Sequence, residues 1–164
     1  MSEPIEVLLK RLTAIKNARE GAKGFHFFCQ IGSEDWPEGT LTLQISGTGW
    51  VLLSHRPQGQ LDDAEDEIYS VYLATRDVRA FVRVLMEQPF WEFDVSRWER
   101  EEHETNIHIR LADTGKGFAW GAQFWSNELQ RQTTIRSLMS TLNLIVKTVS
   151  DSNLHFNALL ESAS

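Results

Sequence analysis

The chain has 164 residues, 41% of them hydrophobic and 24% charged, which suits one globular domain with a substantial core and excludes a disordered or membrane-embedded polymer. A formal net charge of -7 and a pI near 5.2 argue against nonspecific nucleic-acid binding, which draws most of its affinity from neutralised phosphates. No apolar run has signal-peptide or membrane-span character, so a cytoplasmic location is expected, and Cys29 as the lone cysteine leaves no internal disulfide.

Residues 2–20 carry Ile5, Leu8, Leu9, Leu12 and Ile15 at helical spacing, with Pro4 tolerable in the first turn and Gly21 as a C-terminal cap. Lys10, Arg11, Lys16, Arg19 and Lys23 make this helix and its exit basic, and such charges are expected at a solvated surface. Phe25 to Ile31 then reads as a strand central in its sheet. Phe25, Phe27, Cys29 and Ile31 share one side, and Phe28 stands between His26 and Gln30 on the other. In that apolar setting Cys29 is expected to be a buried, unreactive thiol.

Gly32 to Gly39 is a loop holding Trp36, and Thr40 to His55 is a hairpin. Taking Gly47-Thr48 as a two-residue turn pairs Ile45 with Trp50 and Leu43 with Leu52 on one face, leaving Val51 and Leu53 on the reverse with Thr42 and Gln44. Arg56 to Glu67 is an acidic loop that lacks the alternating oxygen ligands and mid-loop glycine of a calcium loop. Ile68 to Ala74 is another strand, with Tyr69, Val71 and Leu73 on one side and Ser70 and Tyr72 on the other.

Thr75 is a good N-cap and Asp77 suits the positive first turn of a second helix, whose stripe is Val78, Phe81, Val82 and Leu85 and which ends before Pro89. Arg76, Arg79 and Arg83 line another of its faces. A charged loop from Asp94 to Glu104 holds Trp98 and His103, without a second cluster at metal-ligand spacing, so no metal site is expected.

Thr105 to Trp125 is the clearest hairpin. Ile107, Ile109 and Leu111 alternate with Asn106, His108 and Arg110, and Phe118, Trp120, Ala122 and Phe124 alternate with Ala119, Gly121 and Gln123. Setting Leu111 against Phe118, Ile109 against Trp120 and Ile107 against Ala122 leaves residues 113–116 as the loop and puts His108 opposite Gly121 and Arg110 opposite Ala119. Asp113-Thr114-Gly115 resembles the active-site triplet of the aspartic proteases. Lys116 follows it, the chain has no second triplet, and the pairing places Asp113 at an exposed turn, so it is read as turn chemistry. A third helix begins at Thr133 or Thr134 and carries Ile135, Leu138, Met139, Leu142, Ile145, Val146 and Val149 at helical spacing, and the tail 151–164 is left open between a helical turn and a flexible end.

The expected architecture is a single α+β domain over 1–164: an antiparallel sheet of about six strands, built from two hairpins plus extra strands, with three amphipathic helices packed mainly on one face. The chain shows no phosphate loop, no nucleophile elbow and no paired Cys or His ligands, so the reading leans away from an enzyme and implies no cofactor or metal. Six tryptophans and two acidic runs favour a protein-interaction role, as an adaptor, an immunity-type or a regulatory protein, with a protein partner or self-association and no nucleic-acid or membrane partner. The alternative is a small-ligand-binding domain or cryptic enzyme on the polar sheet face. The site residues singled out are Tyr72, His108, Arg110, Gln123, Trp125, Trp36 and Trp98.

Overall fold

The computed structural model describes residues 3–32, 39–56, 67–87, 106–115, 117–125 and 133–151. They form α1 (Glu3–Lys16), β1 (Phe25–Gly32), β2 (Thr40–Ser46), β3 (Trp50–Arg56), β4 (Glu67–Tyr72), α2 (Thr75–Glu87), β5 (Asn106–Asp113), β6 (Phe118–Trp125) and α3 (Thr133–Val149). The strands make one sheet in the order β4-β3-β2-β1-β5-β6, antiparallel at every step, and the fold is α+β. β1 pairs on both edges, with β2 and with β5, which suits a strand carrying apolar side chains on both sides.

One face of the sheet, here the inner face, carries Phe25, Phe27, Cys29, Ile31, Leu41, Leu43, Ile45, Val51, Leu53, Ile107, Ile109, Leu111 and Phe124. These join Leu8, Leu12 and Ile15 of α1, Phe81, Val82 and Leu85 of α2, and Leu138, Met139, Leu142 and Val146 of α3 in one buried cluster. Each fully buried aliphatic or phenyl group contributes roughly 1.5–3 kcal/mol over its exposed state. Phe27 meets Phe81 edge to face at 5.0 Å between ring centroids, fastening α2 to the sheet centre. Cys29 is fully enclosed here, and desolvation pushes its thiol pKa far above the ordinary value.

The β2–β3 register corrects the reading from alternation. Ile45 stands opposite Val51 and Leu43 opposite Leu53, not opposite Trp50 and Leu52. The turn has three residues, Gly47, Thr48 and Gly49, with Gly49 in the left-handed region at φ 103° and its N–H donating to the Ser46 carbonyl at 2.9 Å. A side chain at Gly49 would also overlap the Leu73 carbonyl oxygen. One extra loop residue exchanges the faces of β3 relative to β2. Val51 and Leu53 are buried, while Trp50 and Leu52 point away from the core.

The β5–β6 register is also corrected, by two residues. Leu111 faces Trp120, Ile109 faces Ala122 and Ile107 faces Phe124, so both apolar sets keep their side but change partners. The cause is Asp113, which lies within β5 opposite Phe118 and is 2% exposed, not at an exposed turn. Its Oδ2 accepts from Arg11 Nε at 2.6 Å and its Oδ1 from the Gly115 amide at 2.9 Å. Gly117, at φ 69°, closes the loop by donating its N–H to the Asp113 carbonyl at 2.9 Å.

Arg11 sits inside the structure rather than on a solvated face: it lies at i+3 from Leu8, within the apolar stripe of α1, and is 6% exposed. Its guanidinium donates from Nη1 to Glu20 Oε2 (2.7 Å) and the Gly21 carbonyl (2.8 Å), and from Nη2 to the Lys23 carbonyl (2.9 Å). These bonds draw residues 20–23 back across the helix. α1 therefore ends at Lys16, short of the expected Glu20, with Ala18 at φ 60° turning the chain in place of Gly21.

Candidate functional site

The outer face is built by the residues that alternate with the core. Across the strands from β4 to β6 they align as Tyr72, Trp50, Ser46, His26, Ala112 and Ala119 in one row, and as Ser70, Leu52, Gln44, Phe28, Arg110 and Gly121 in the next. A third row runs Ile68, Ser54, Thr42, Gln30, His108 and Gln123. Several large groups remain exposed on this face, with Tyr72 at 71%, Ile68 at 64% and Trp50 at 37%.

A trough of about 750 Å³ crosses the first five strands of the sheet order. Trp50 and Tyr72 form one end, their rings tilted by 52° with centroids 4.5 Å apart. Phe28, Leu52, Gln44 and Gln30 form its floor, and His108 and Arg110 close the other end. A second hollow of about 630 Å³ lies beyond them over β6, bounded by His108, Arg110, Gly121 and Gln123. The two share His108 and Arg110. Gly121 lies directly opposite Arg110, and a Cβ added to it would meet His108 Nε2 at 3.7 Å, so the missing side chain is what keeps this hollow open.

His108 stacks edge to face on Phe28 at 5.7 Å. Its pKa is lowered from the ordinary value, first by burial and second by the neighbouring Arg110 guanidinium, so the ring is neutral at pH 7 and presents one donor and one acceptor nitrogen. Arg110 is exposed and forms no ion pair with any carboxylate among the described residues. None of the described strand residues on the outer face is Asp or Glu, although the whole chain holds 23 of them. The face is thus neutral to cationic in an acidic protein.

Of the residues expected from sequence, Tyr72, His108 and Arg110 line the trough, and Gln123 joins the latter two around the second hollow. The corrected register sets His108 opposite Gln123 and Arg110 opposite Gly121. Trp125 lies opposite Asn106 at the end of β6 and borders neither hollow. Trp36 and Trp98 lie outside the described residues, as do the acidic run 62–67 except Glu67, which begins β4, the acidic run 99–104, His103 and the tail beyond 151. Sequence reasoning missed His26, Phe28, Gln44, Trp50 and Leu52 as site residues. Phe28 and His26 already alternated with the β1 core, whereas Trp50 and Leu52 were lost by the two-residue turn. The third loop residue, Gly49 in Ser46-Gly47-Thr48-Gly49-Trp50, was the available signal.

No protein-family model matches the chain, and no curated protein matches its sequence.

The chemistry must therefore be read from the face itself. The Arg110 guanidinium, with no ion pair among the described residues, offers bidentate recognition of a carboxylate or another oxyanion, and the aromatic and aliphatic groups offer apolar contact. His26 and His108 do not form a pair. They lie on adjacent strands four residues out of register, about 13 Å apart along the strand direction. Among the described residues, no group of three or more His, Cys, Asp or Glu side chains is placed to hold a metal ion. No helix there is long and apolar enough to cross a membrane.

Proposed function

We propose that the protein is a protein-interaction module of the cytoplasm, an adaptor, immunity-type or regulatory protein, that receives its partner on the outer face of the sheet. The observation that carries this reading is the composition of that face. It has an exposed Trp50–Tyr72 pair, Leu52, Phe28 and an Arg110 with no ion pair among the described residues, and no described carboxylate, in a chain of net charge -7. Aromatic and arginine anchors are the side chains that dominate protein–protein interfaces.

The test is co-purification of the tagged chain from its own cells followed by native mass spectrometry, with Trp50→Ala and Gly121→Val run in parallel. A partner retained by the wild-type chain and lost from both variants supports the reading. Repeated recovery of a bare monomer, or a partner indifferent to both variants, counts against it.

A second reading, small-ligand binding, is favoured by one observation: the trough volume of about 750 Å³ falls in the ordinary range for such sites, roughly 300–1,000 Å³. There Arg110 would hold an anion and neutral His108 would hydrogen-bond it or accept a proton. Against it, the trough is only half enclosed, which leaves much of a small molecule in water.

A further inference from the structure

Resting on that protein-interaction reading, the geometry points to the kind of partner: an extended peptide segment that carries a large apolar side chain and an acidic residue about six positions apart. The apolar group seats against Trp50 and Tyr72, and the carboxylate seats on Arg110. The two ends of the trough set the spacing. Tyr72 is on β4 and Arg110 on β5, four strand steps apart in the sheet order and offset by two residues along the strands. At roughly 4.8 Å per step and 3.3 Å per residue, the separation is about 20 Å, which six residues of extended chain span.

Charge complementarity selects this occupant over a second copy of the same face. In a second copy the Arg110 guanidinium would meet a face that supplies no described carboxylate to answer it. Leu52 and Phe28 lie in the row of Arg110, separated by Gln44, so the floor alternates apolar and amide groups beneath the segment. Gln44 offers a donor and an acceptor to a peptide backbone crossing it. The hollow opposite Gly121 leaves room for the acidic side chain to approach the guanidinium from the β6 side.

The experiment uses fluorescein-labelled decapeptides in a Ser/Gly background, each with one Phe and one Glu at spacings from one to eight, titrated with the full chain and read by fluorescence anisotropy. Affinity is expected to peak at a spacing of five to seven. It should fall about tenfold when Glu is replaced by Gln, and by a similar factor in Arg110→Ala, in line with loss of one charge-assisted contact. Gly121→Val should weaken the peak peptide while leaving thermal unfolding near wild type. If that variant does not fold, Arg110→Gln serves in its place. Binding that is lost in Trp50→Ala but indifferent to Glu, to spacing and to Arg110 overturns the inference and leaves the interaction reading in place. So does the absence of peptide binding while Trp50→Ala and Gly121→Val still lose the co-purified partner. Absence of both removes the two together. Free 2-naphthoate binding as tightly as the best peptide also overturns the inference, in favour of a small aromatic acid.

Discussion

Arg11 and Arg110 carry the same side chain in opposite settings. Arg11 is buried under the β5–β6 turn, with Nε on Asp113, Nη1 on Glu20 and the Gly21 carbonyl, and Nη2 on the Lys23 carbonyl. Arg110, on the strand that also ends in Asp113, is exposed and faces Gly121 across the ladder. A guanidinium that is buried and donates four hydrogen bonds to the protein's own oxygens holds the fold together and is out of a partner's reach. One that makes no ion pair among the described residues, on a face whose described residues include no carboxylate, contributes little to folding and is available for recognition. Arginine in a sequence thus carries two different meanings, and the difference lies in what surrounds it.

The largest expected effect breaks the buried half of this comparison. Asp113→Ala takes from Arg11 its buried counter-charge, leaving the half-exposed Glu20 as the remaining carboxylate, and should cost about 3 kcal/mol in urea unfolding. The double variant Arg11→Met/Asp113→Ala should cost clearly less than the sum of the two single changes, because neither buried charge is left without the other. Additive losses would show that the two side chains do not act as a pair.

Next in size is the test of the β3 faces on which the trough depends. Leu53→Ala removes a fully buried side chain and should cost about 2–5 kcal/mol, whereas Leu52→Ala, on the outer face, should cost under about 1 kcal/mol. The reverse order would restore the two-residue turn and take Trp50 out of the site.

The two turns give a smaller contrast. Gly49→Ala meets both a positive φ and the Leu73 carbonyl, and should cost more than Gly117→Ala. At Gly117 nothing lies within 4 Å of the added Cβ, so only the left-handed penalty of about 1–2 kcal/mol applies. Calorimetric midpoints of the two variants compare them directly.

The smallest effects belong to the free half. Arg110→Ala should leave stability within about 0.5 kcal/mol of wild type. His108 should add a modest pH dependence. Its lowered pKa means that, as pH falls below the ordinary histidine value, the unfolded chain takes up a proton that the folded ring refuses. Stability contributed by the neutral ring is complete above that value, is lost as pH falls toward the folded pKa, and then levels. Thermal midpoints between pH 8 and 5 should fall less steeply in His108→Asn, and less steeply in Arg110→Ala as well, since removing the neighbouring positive charge raises the pKa of His108. An unchanged slope in His108→Asn would show that this imidazole is not the group responsible.

Period and punctuation in the chain were enough to determine the three helices and six strands found among the described residues, where each begins within a few residues, and which side chains on a strand share a side. α2 is the clearest case: Thr75, Asp77 and the stripe Val78, Phe81, Val82 and Leu85 are a local code, written in one turn of spacing and one cap. β1 was legible for the same reason, and with it half of the site: Tyr72, His108, Arg110 and Gln123 were all assigned to the outer face. Alternation cannot say which side of an all-apolar strand turns inward, and β3 is apolar on both. There the decision rests on a single additional loop residue and on the cover that the helices provide. Nor can a local pattern reveal that Arg11 and Asp113, 102 residues apart, meet in the interior. That pairing draws Asp113 into the strand, moves the β5–β6 partners by two residues, and sets Gly121 rather than Ala119 opposite Arg110, because a buried charge must find its counter-charge wherever the fold brings one within reach.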